Sequence, residues 1–388
     1  MRQLPYKRYL VDAIWGDLRE GKMAFVGGPR LVGKTTLALG FLREGNHRPA
    51  AEDHPAYLNW DAQPAKAALL RGELPPRQPL LVLDEIHKFA RWRNLVKGLH
   101  DTHKSKVRFI VTGSARLDYY RRGGDSLLGR YHYFRLHPFS LREMTSEPSR
   151  EDVESLLRFG GFPEPLARQS ETAWRRWQRE RLQRVLREDL RDLERVREVS
   201  LIELLMDSLP ERVGSPLSVR SLSDHLQVAH ESVERWLSIL ERLYLCFRIL
   251  PFGAAKIRAV KKEKKLYFWD WSANPNPGAR FENLVASQLL KYCHFREDTL
   301  GHSMELRFIR DTDKREIDFV VLEDKRPVFA VECKNGETAP SPAAYYFRER
   351  TKIPRFYQVH LGTKDYGNEE TAVRVLPFGQ FCQESLMP

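Results

Sequence analysis

Short apolar runs alternate with amphipathic stretches through the first 150 residues. Met23–Gly27, Tyr57–Trp60, Leu80–Leu83 and Val107–Thr112 read as strands, and the stretches between them, such as Thr36–Leu42, read as helices. Strands strung between helices predict a parallel sheet covered on both faces. The pattern breaks at Gly160-Gly161-Phe162-Pro163, and residues 170–209 then keep a helical period throughout. Further on, Leu217, Val219, Leu222 and Leu226 form one apolar set, and Val233, Trp236, Leu237, Leu240 and Leu243 form another. Two short helices followed by a strand are the pattern of a winged helix-turn-helix. From Phe281 onward the order is helix, three strands, helix, strand, which predicts a separate small α/β unit.

Composition narrows the picture. A chain of 388 residues exceeds one ordinary core, and 42% hydrophobic content suits packed domains. No apolar run reaches the roughly 18 residues needed to cross a bilayer, so no membrane partner is expected. The start, MRQLPYKRYL, is basic but lacks a following apolar stretch and a cleavage site, which predicts a soluble, cytoplasmic protein. Cys246, Cys293, Cys333 and Cys382 form no CxxC pair, so neither a zinc ribbon nor a redox motif is indicated. Lys and Arg exceed Asp and Glu by 64 − 52 = 12, a surplus that favours a polyanionic partner. Nine arginines fall between Arg175 and Arg197, but interleaved acids make a solvated, ion-paired helix the simpler reading. Glu231, Glu234 and Glu241 on the second short helix argue against its reading DNA, because carboxylates repel phosphate. The segment from Lys256 to Lys265 carries six basic residues against Glu263 alone and reads equally as a phosphate-contacting wing or a solvated hairpin.

The strongest chemical signal is Gly28-Pro29-Arg30-Leu31-Val32-Gly33-Lys34-Thr35, a GxxxxGK[ST] loop between a strand and a helix. Its glycines let backbone N–H groups curl around phosphate oxygens at a helix amino terminus. Lys34 would neutralise the β and γ phosphates of ATP, and Thr35 would offer its hydroxyl to Mg²⁺. Gly28, Pro29, Arg30, Gly33 and Thr36 complete the expected cradle. Leu80-Leu81-Val82-Leu83 runs into Asp84 and Glu85, which predicts Asp84 near Mg²⁺ and Glu85 as the base that activates water. A polar group after the Val107–Thr112 strand, Ser114 or Thr112, would sense the γ-phosphate.

These motifs resemble the bacterial and archaeal AAA-type ATPases that pair an amino-terminal P-loop domain with a carboxy-terminal domain of unknown function (AAA_14 with DUF4143). The resemblance is carried by GPRLVGKTT, LNWDAQP, LLVLDEIHK, VTGSARL, LLGRYHYFRLHPFSLREM and GGFPEPL, and then by LSVRSLSDHLQVAHESVERWLSILERLYL, KKLYFWD, RFENLVASQLL, REIDFVV and VECKN. It implies an arginine finger at Arg130 that acts on a neighbouring subunit, hence a homo-oligomer. It also implies a nucleotide contact at Pro163. Glu188-Asp189-Leu190 departs from the Arg-Asp pair usual in the family.

A second chemical site lies in the last third. Glu332-Cys333-Lys334 is an ExK tripeptide, a weak signal alone, but Glu316–Leu322 and Val328–Lys334 read as a hairpin. A turn centred on Lys325 pairs Asp318 with Glu332, Val320 with Ala330 and Leu322 with Val328. The other face is then Ile317, Phe319, Val321, Phe329, Val331 and Cys333, all apolar. Two carboxylates and a lysine at one spot predict metal-assisted phosphodiester chemistry, with Asp318 and Glu332 on Mg²⁺ or Mn²⁺ and Lys334 positioning water. This resembles the restriction-endonuclease-like PD-(D/E)xK fold, in which Glu282 matches an extra acid of some members.

The expected organisation is a P-loop ATPase domain at 1–150, a helical lid at 151–209, a winged helix-turn-helix at 210–270 and a nuclease-like α/β domain at 271–388. The expected function is an ATPase that controls a Mg²⁺-dependent DNA endonuclease. The alternative is a nucleotide switch whose tail only binds a partner.

Overall fold

The computed structural model describes residues 2–43, 48–113, 117, 127–190, 198–253, 263–367 and 373–385. It divides into two compact units, Gln3–His137 and Pro138–Pro388, the latter joined by Met1–Arg2.

The first unit is a parallel sheet with strands β1 (Met23–Gly27), β2 (Tyr57–Asn59), β3 (Leu80–Asp84), β4 (Arg108–Thr112) and β5 (Tyr131–Arg135), ordered β2-β3-β4-β1-β5. Helices α1 (Val11–Arg19), α2 (Lys34–Gly40), α3 (Gln63–Arg71) and α4 (Trp92–His103) connect or flank them. Both faces of β1 and β3 are buried along their whole length, which is why these strands read as unbroken apolar runs. Phe25, Leu81, Leu83, Trp92, Phe109 and Val111 share one core. Strand β5 was not expected, because Tyr131-His132-Tyr133-Phe134-Arg135 mixes polar and aromatic residues at the sheet edge. The fold is that of a P-loop domain: β1, β3 and β4 end together, with Asp84 opposite Thr112 and Thr112 opposite Val26.

The second unit opens with helices α5 (Leu141–Met144), α6 (Arg150–Phe159), α7 (Pro163–Arg168) and α8 (Glu171–Arg184). Helix α8 runs into a π turn at Val185–Asp189, and helix α9 (Val199–Ser208) follows; residues 191–197 lie outside the described residues. One arginine of the basic stretch is not solvated: Arg181 is buried and stacks on Phe162 at 4.3 Å from the ring centroid.

Helices α10 (Val219–Leu226) and α11 (His230–Arg242) form where the apolar sets place them, followed by β6 (Cys246–Pro251) and β7 (Lys265–Phe268). Next come α12 (Pro277–Leu300), β8 (Met304–Arg310), β9 (Glu316–Glu323), β10 (Arg326–Lys334), α13 (Pro342–Arg350), β11 (Phe356–His360), β12 (Val373–Pro377) and α14 (Phe378–Ser385). The tail does not stand apart as the sequence suggested. The expected wing strands β6 and β7 continue the tail's sheet, whose order is β12-β11-β10-β9-β8-β6-β7. The physical reason is that β8 has an open edge, and β6 pairs with it in parallel at Leu250 and Pro251.

The β9–β10 hairpin is covered on both faces. Tyr292 of α12 meets Phe329 on one, while Ala344 and Phe347 of α13 share a core with Val320 and Ala330 on the other. Val320 opposes Ala330 as expected, but Leu322 opposes Pro327 and not Val328, because the register shifts between Pro327 and Phe329. The turn is tighter than a loop centred on Lys325: Asp324 and Lys325 both have positive φ, 49° and 66°, as in a two-residue type I′ turn. Val328 is the extra residue that restores the pairing.

Candidate nucleotide site and acidic centre

The phosphate loop leaves β1 at Gly28, whose φ of 144° lies in glycine territory; a Cβ there would sit 2.4 Å from the Leu136 carbonyl oxygen. Gly33, at φ 99°, caps α2, so that Lys34 and Thr35 open the helix. Lys34 Nζ is buried and donates to the carbonyls of Gly28 and Pro29 at 3.0 and 2.8 Å. Its ammonium is thus held inside the loop that would wrap the phosphates. Arg30 and Thr36 fall on the loop and on α2 as expected, and Arg30 is partly exposed.

Asp84 collects donors from four directions. Thr35 Oγ1 donates to Oδ2 at 2.8 Å, Tyr57 Oη donates to Oδ2 at 2.7 Å, and the Glu85 N–H donates to Oδ1 at 3.0 Å. Thr112 Oγ1 also donates to Oδ1. Thr35 and Asp84 therefore meet at one point beside the phosphate loop, the arrangement a Mg²⁺ accompanying ATP requires. Burial and the neighbouring Asp84 carboxylate push the Tyr57 hydroxyl up, so it stays a donor. Glu85 takes a left-handed backbone, φ 56°, and burial followed by the charge of Asp84 raises its carboxyl above the usual range. A raised carboxyl next to a metal ligand is suited to accept a proton from water.

Arg130 lies just before β5, at the strands' amino-terminal edge, and Met23 at the start of β1 donates to its carbonyl. The five-residue strands hold it roughly 17 Å from the phosphate loop of its own chain. Its guanidinium grips Asp101 through two bonds of 2.7 and 3.0 Å, which holds the Asp101 carboxyl down at about 2. Ser114 lies outside the described residues, whereas Thr112 sits on Asp84. Pro163 opens α7 in the second unit. Sequence reasoning missed Arg8, which is buried and donates to the carbonyls of Val32 and His137 at 3.2 and 2.6 Å, bracing the loop. It also missed Tyr57, whose aromatic ring looked like core.

In the second unit, Asp318, Glu332 and Lys334 reach one end of the hairpin. Lys334 Nζ donates to Glu332 Oε1 at 2.7 Å, and the Cys333 N–H donates to Asp318 Oδ2 at 2.9 Å. Glu332 is buried, and among the described residues its Oε2 has no hydrogen-bond partner. Burial and the Asp318 charge raise its carboxyl to about 8. Glu282, on α12, is raised to about 7 by burial and Asp318, and it accepts from Tyr267 Oη at 2.7 Å. Such an orphaned, crowded acid fits a cation, so the donor set suits Mg²⁺ or Mn²⁺. The three acids do not close on one point, however. Among the described residues, only His302, Glu323 and Asp324 bring three ligand atoms within 4.8 Å of one another.

Lys265 explains the spacing. It was expected to face phosphate or solvent, but its side chain is fully buried, 3.3 Å from Glu282 Oε1 and 3.4 Å from Asp318 Oδ1, and it also pairs with Glu316. Strand β7 is buried along its whole length, so its first residue is enclosed; the basic segment from Lys256 up to Lys262 lies outside the described residues. Two carboxylates of the second short helix are likewise engaged: Glu234 and Glu241 both accept from the buried Arg248 of β6, at 2.7 and 2.9 Å.

Comparison with known proteins matches three consecutive segments of the chain. Residues 20–145 match the family model described as an AAA domain, residues 150–273 a domain of unknown function (DUF8612), and residues 277–381 a domain of unknown function (DUF4143). The first unit therefore carries an AAA domain, which supports nucleotide binding and an ATPase reading. Two proteins of Methanocaldococcus jannaschii are similar. MJ1544, an uncharacterised protein, is 20% identical over 334 residues, 77% of this chain and 73% of its own. MJ1637, also uncharacterised, is 24% identical over 242 residues, 54% of this chain and 50% of its own. Among the described residues no helix is long and apolar enough to cross a membrane.

Proposed function

We propose that this protein hydrolyses ATP in its AAA domain and thereby controls a metal-dependent DNA endonuclease centre in its tail. The observation that carries the reading is the buried Glu332 carboxylate, with one oxygen on Lys334, the other without a partner among the described residues, and the charge of Asp318 acting on it. Asp318 and Glu332, with Glu282 beside them, would hold Mg²⁺ or Mn²⁺, and a bound ion would supply charge to a scissile phosphate. Lys334 orients the Glu332 carboxylate and presents an ammonium to the attacking water. In the AAA domain, Lys34 neutralises phosphate charge, Thr35 and Asp84 hold Mg²⁺, Glu85 takes the proton of water, and Arg130 acts on a neighbouring copy in a homo-oligomer. Helices α10 and α11 with β6 and β7 form the winged helix that meets the DNA.

The test is cleavage of branched, duplex and single-stranded DNA by the full chain, with and without ATP, in Mg²⁺ and in Mn²⁺. Nicking that is lost in Glu332→Ala and altered in Lys34→Ala supports the reading. Intact ATP turnover with no nicking in any condition rejects it. That result would favour a nucleotide switch with an inactive tail, a reading supported by Lys265 lying among the tail's acids.

A further inference from the structure

The acidic centre contains a cation that the tail motifs do not announce. Lys265 Nζ lies between Glu282 and Asp318, 3.3 Å from one and 3.4 Å from the other, and pairs with Glu316 as well. Its side chain has no solvent exposure, and the ammonium is 5.5 Å from the centre of the Phe308 ring. Tyr267 Oη donates to Glu282 from another side, and the backbone at Gly214 closes in so far that a Cβ there would lie 3.0 Å from both Glu282 oxygens. Nothing bulky therefore enters between Glu282 and Asp318 while Lys265 is present.

The charges can be counted. With every acid ionised, as a bound cation requires, Glu282, Glu316, Asp318 and Glu332 contribute four negative charges. Lys265, Lys334 and Arg310, which pairs with Glu316 at 2.6 Å, contribute three positive ones. One negative charge remains, and the orphaned oxygen belongs to Glu332. A single divalent ion overcompensates that remainder by one charge, and a second would leave three in excess, which burial penalises heavily.

We propose that Lys265 is a resident cation of the acidic centre, filling the gap between Glu282 and Asp318 so that the centre takes one divalent ion, on its Glu332 side, and not two. This rests on the reading of the tail as a metal centre. It makes Lys265, supplied by β7, the residue that sets metal stoichiometry, and it removes Glu282 from the direct ligands.

The experiment is Mn²⁺ titration of the nucleotide-free full chain by calorimetry and by the electron paramagnetic resonance of free Mn²⁺. The Glu332→Gln variant is titrated in parallel to subtract sites elsewhere, including His302, Glu323 and Asp324. The wild type should bind one Glu332-dependent ion. Lys265→Met should bind a second ion, or bind the first at least about tenfold more tightly, because a buried positive charge within a few ångströms has gone. Lys265→Arg should keep the wild-type titration. Glu282→Gln should weaken Mn²⁺ less than Glu332→Gln does. Two Glu332-dependent ions in the wild type overturn the proposal without any need for the Lys265 variant to fold. A folded Lys265→Met protein that titrates like the wild type overturns it equally. If the wild type and Lys265→Met both lack a Glu332-dependent ion, the metal-centre reading falls as well.

Discussion

Glu332→Gln should stabilise the metal-free protein, and by an amount that grows with pH. The carboxyl titrates at about 8 in the folded chain against an ordinary 4.5, because burial and Asp318 oppose its charge. A raised acid costs nothing below its unfolded value and its full amount above its folded value, so stability is lost between pH 4.5 and 8. At 1.36 kcal/mol for each pH step, 8 − 4.5 gives a full cost of about 5 kcal/mol, of which only about 1 is present at pH 5. Glutamine removes that cost and keeps an acceptor for Lys334. Its amide N–H₂ then stands where Oε2 had no partner, which costs about 1–3 kcal/mol. The expected net gain is about 2–4 kcal/mol above pH 8, and no gain or a small loss at pH 5. The assay is urea unfolding in EDTA at several pH values, followed at the transition that Mn²⁺ shifts in the wild type. Mn²⁺ should raise that midpoint for the wild type and leave Glu332→Gln in place. Parallel stability–pH curves for the two proteins would refute the reasoning, since the orphaned carboxylate would then carry no electrostatic cost.

Three further outcomes are expected. Glu85→Gln should bind ATP with nearly wild-type affinity and lose turnover by about 10²-fold or more, measured by phosphate release, because only the proton acceptor changes. Arg130→Ala should lose ATPase activity by up to about 10³-fold, and mixing it with Glu85→Gln should recover part, because each variant supplies what the other's shared site lacks; equal activity in the mixture and its components would place Arg130 in its Asp101 pair alone. Lys291→Met should destabilise the second unit by about 3–5 kcal/mol in urea unfolding, because the buried ammonium pairs with Glu143 and donates to Ser140 Oγ at 3.0 Å and to the Pro138 carbonyl at 3.3 Å. Adding Glu143→Gln should return part of that loss, since the unpaired charge goes with it.

The phosphate loop was legible because its chemistry is local: a strand, two glycines and a helix start fix Lys34 and Thr35 within eight consecutive residues. Asp84 was legible for a similar reason, as the polar end of a buried strand. What surrounds them was not. Tyr57 reaches Asp84 from 27 positions away, and nothing in its own segment marks a hydroxyl aimed at a carboxylate. Lys265 was read by charge alone, as a solvated or phosphate-facing group, and Arg248 was not singled out, although the side chains of both are buried cations held by acids. Composition counts charges but does not show which are spent inside the protein. The acidic residues on α11 repel DNA less than their number implies, because Arg248 pairs with both Glu234 and Glu241 and offsets one of their two charges.

The hairpin shows how far patterning reaches. The expected register is right from Val320 toward the ExK end and wrong toward the turn. Along Phe319–Val321 and Phe329–Val331 both faces of the hairpin are buried, and a slip by one residue would move Asp318 and Glu332 into the apolar face that holds Phe319 and Val331. At Arg326, Pro327 and Val328 burial relaxes, with an exposed residue followed by two half-buried ones, so the core no longer selects a register there. Turn chemistry decides instead: Asp324-Lys325 closes in two residues, and the bulge at Val328 absorbs the odd residue. The acidic centre is thus set by the core and not by its turn. A Gly inserted after Lys325 should lengthen the turn and leave Mn²⁺ binding at Glu332 unchanged, whereas Ala330→Asp, which puts a charge into the core opposite Val320, should abolish that binding by unpairing the strands. Loss of Mn²⁺ binding on lengthening the turn would show that the turn, and not the buried faces, positions Glu332.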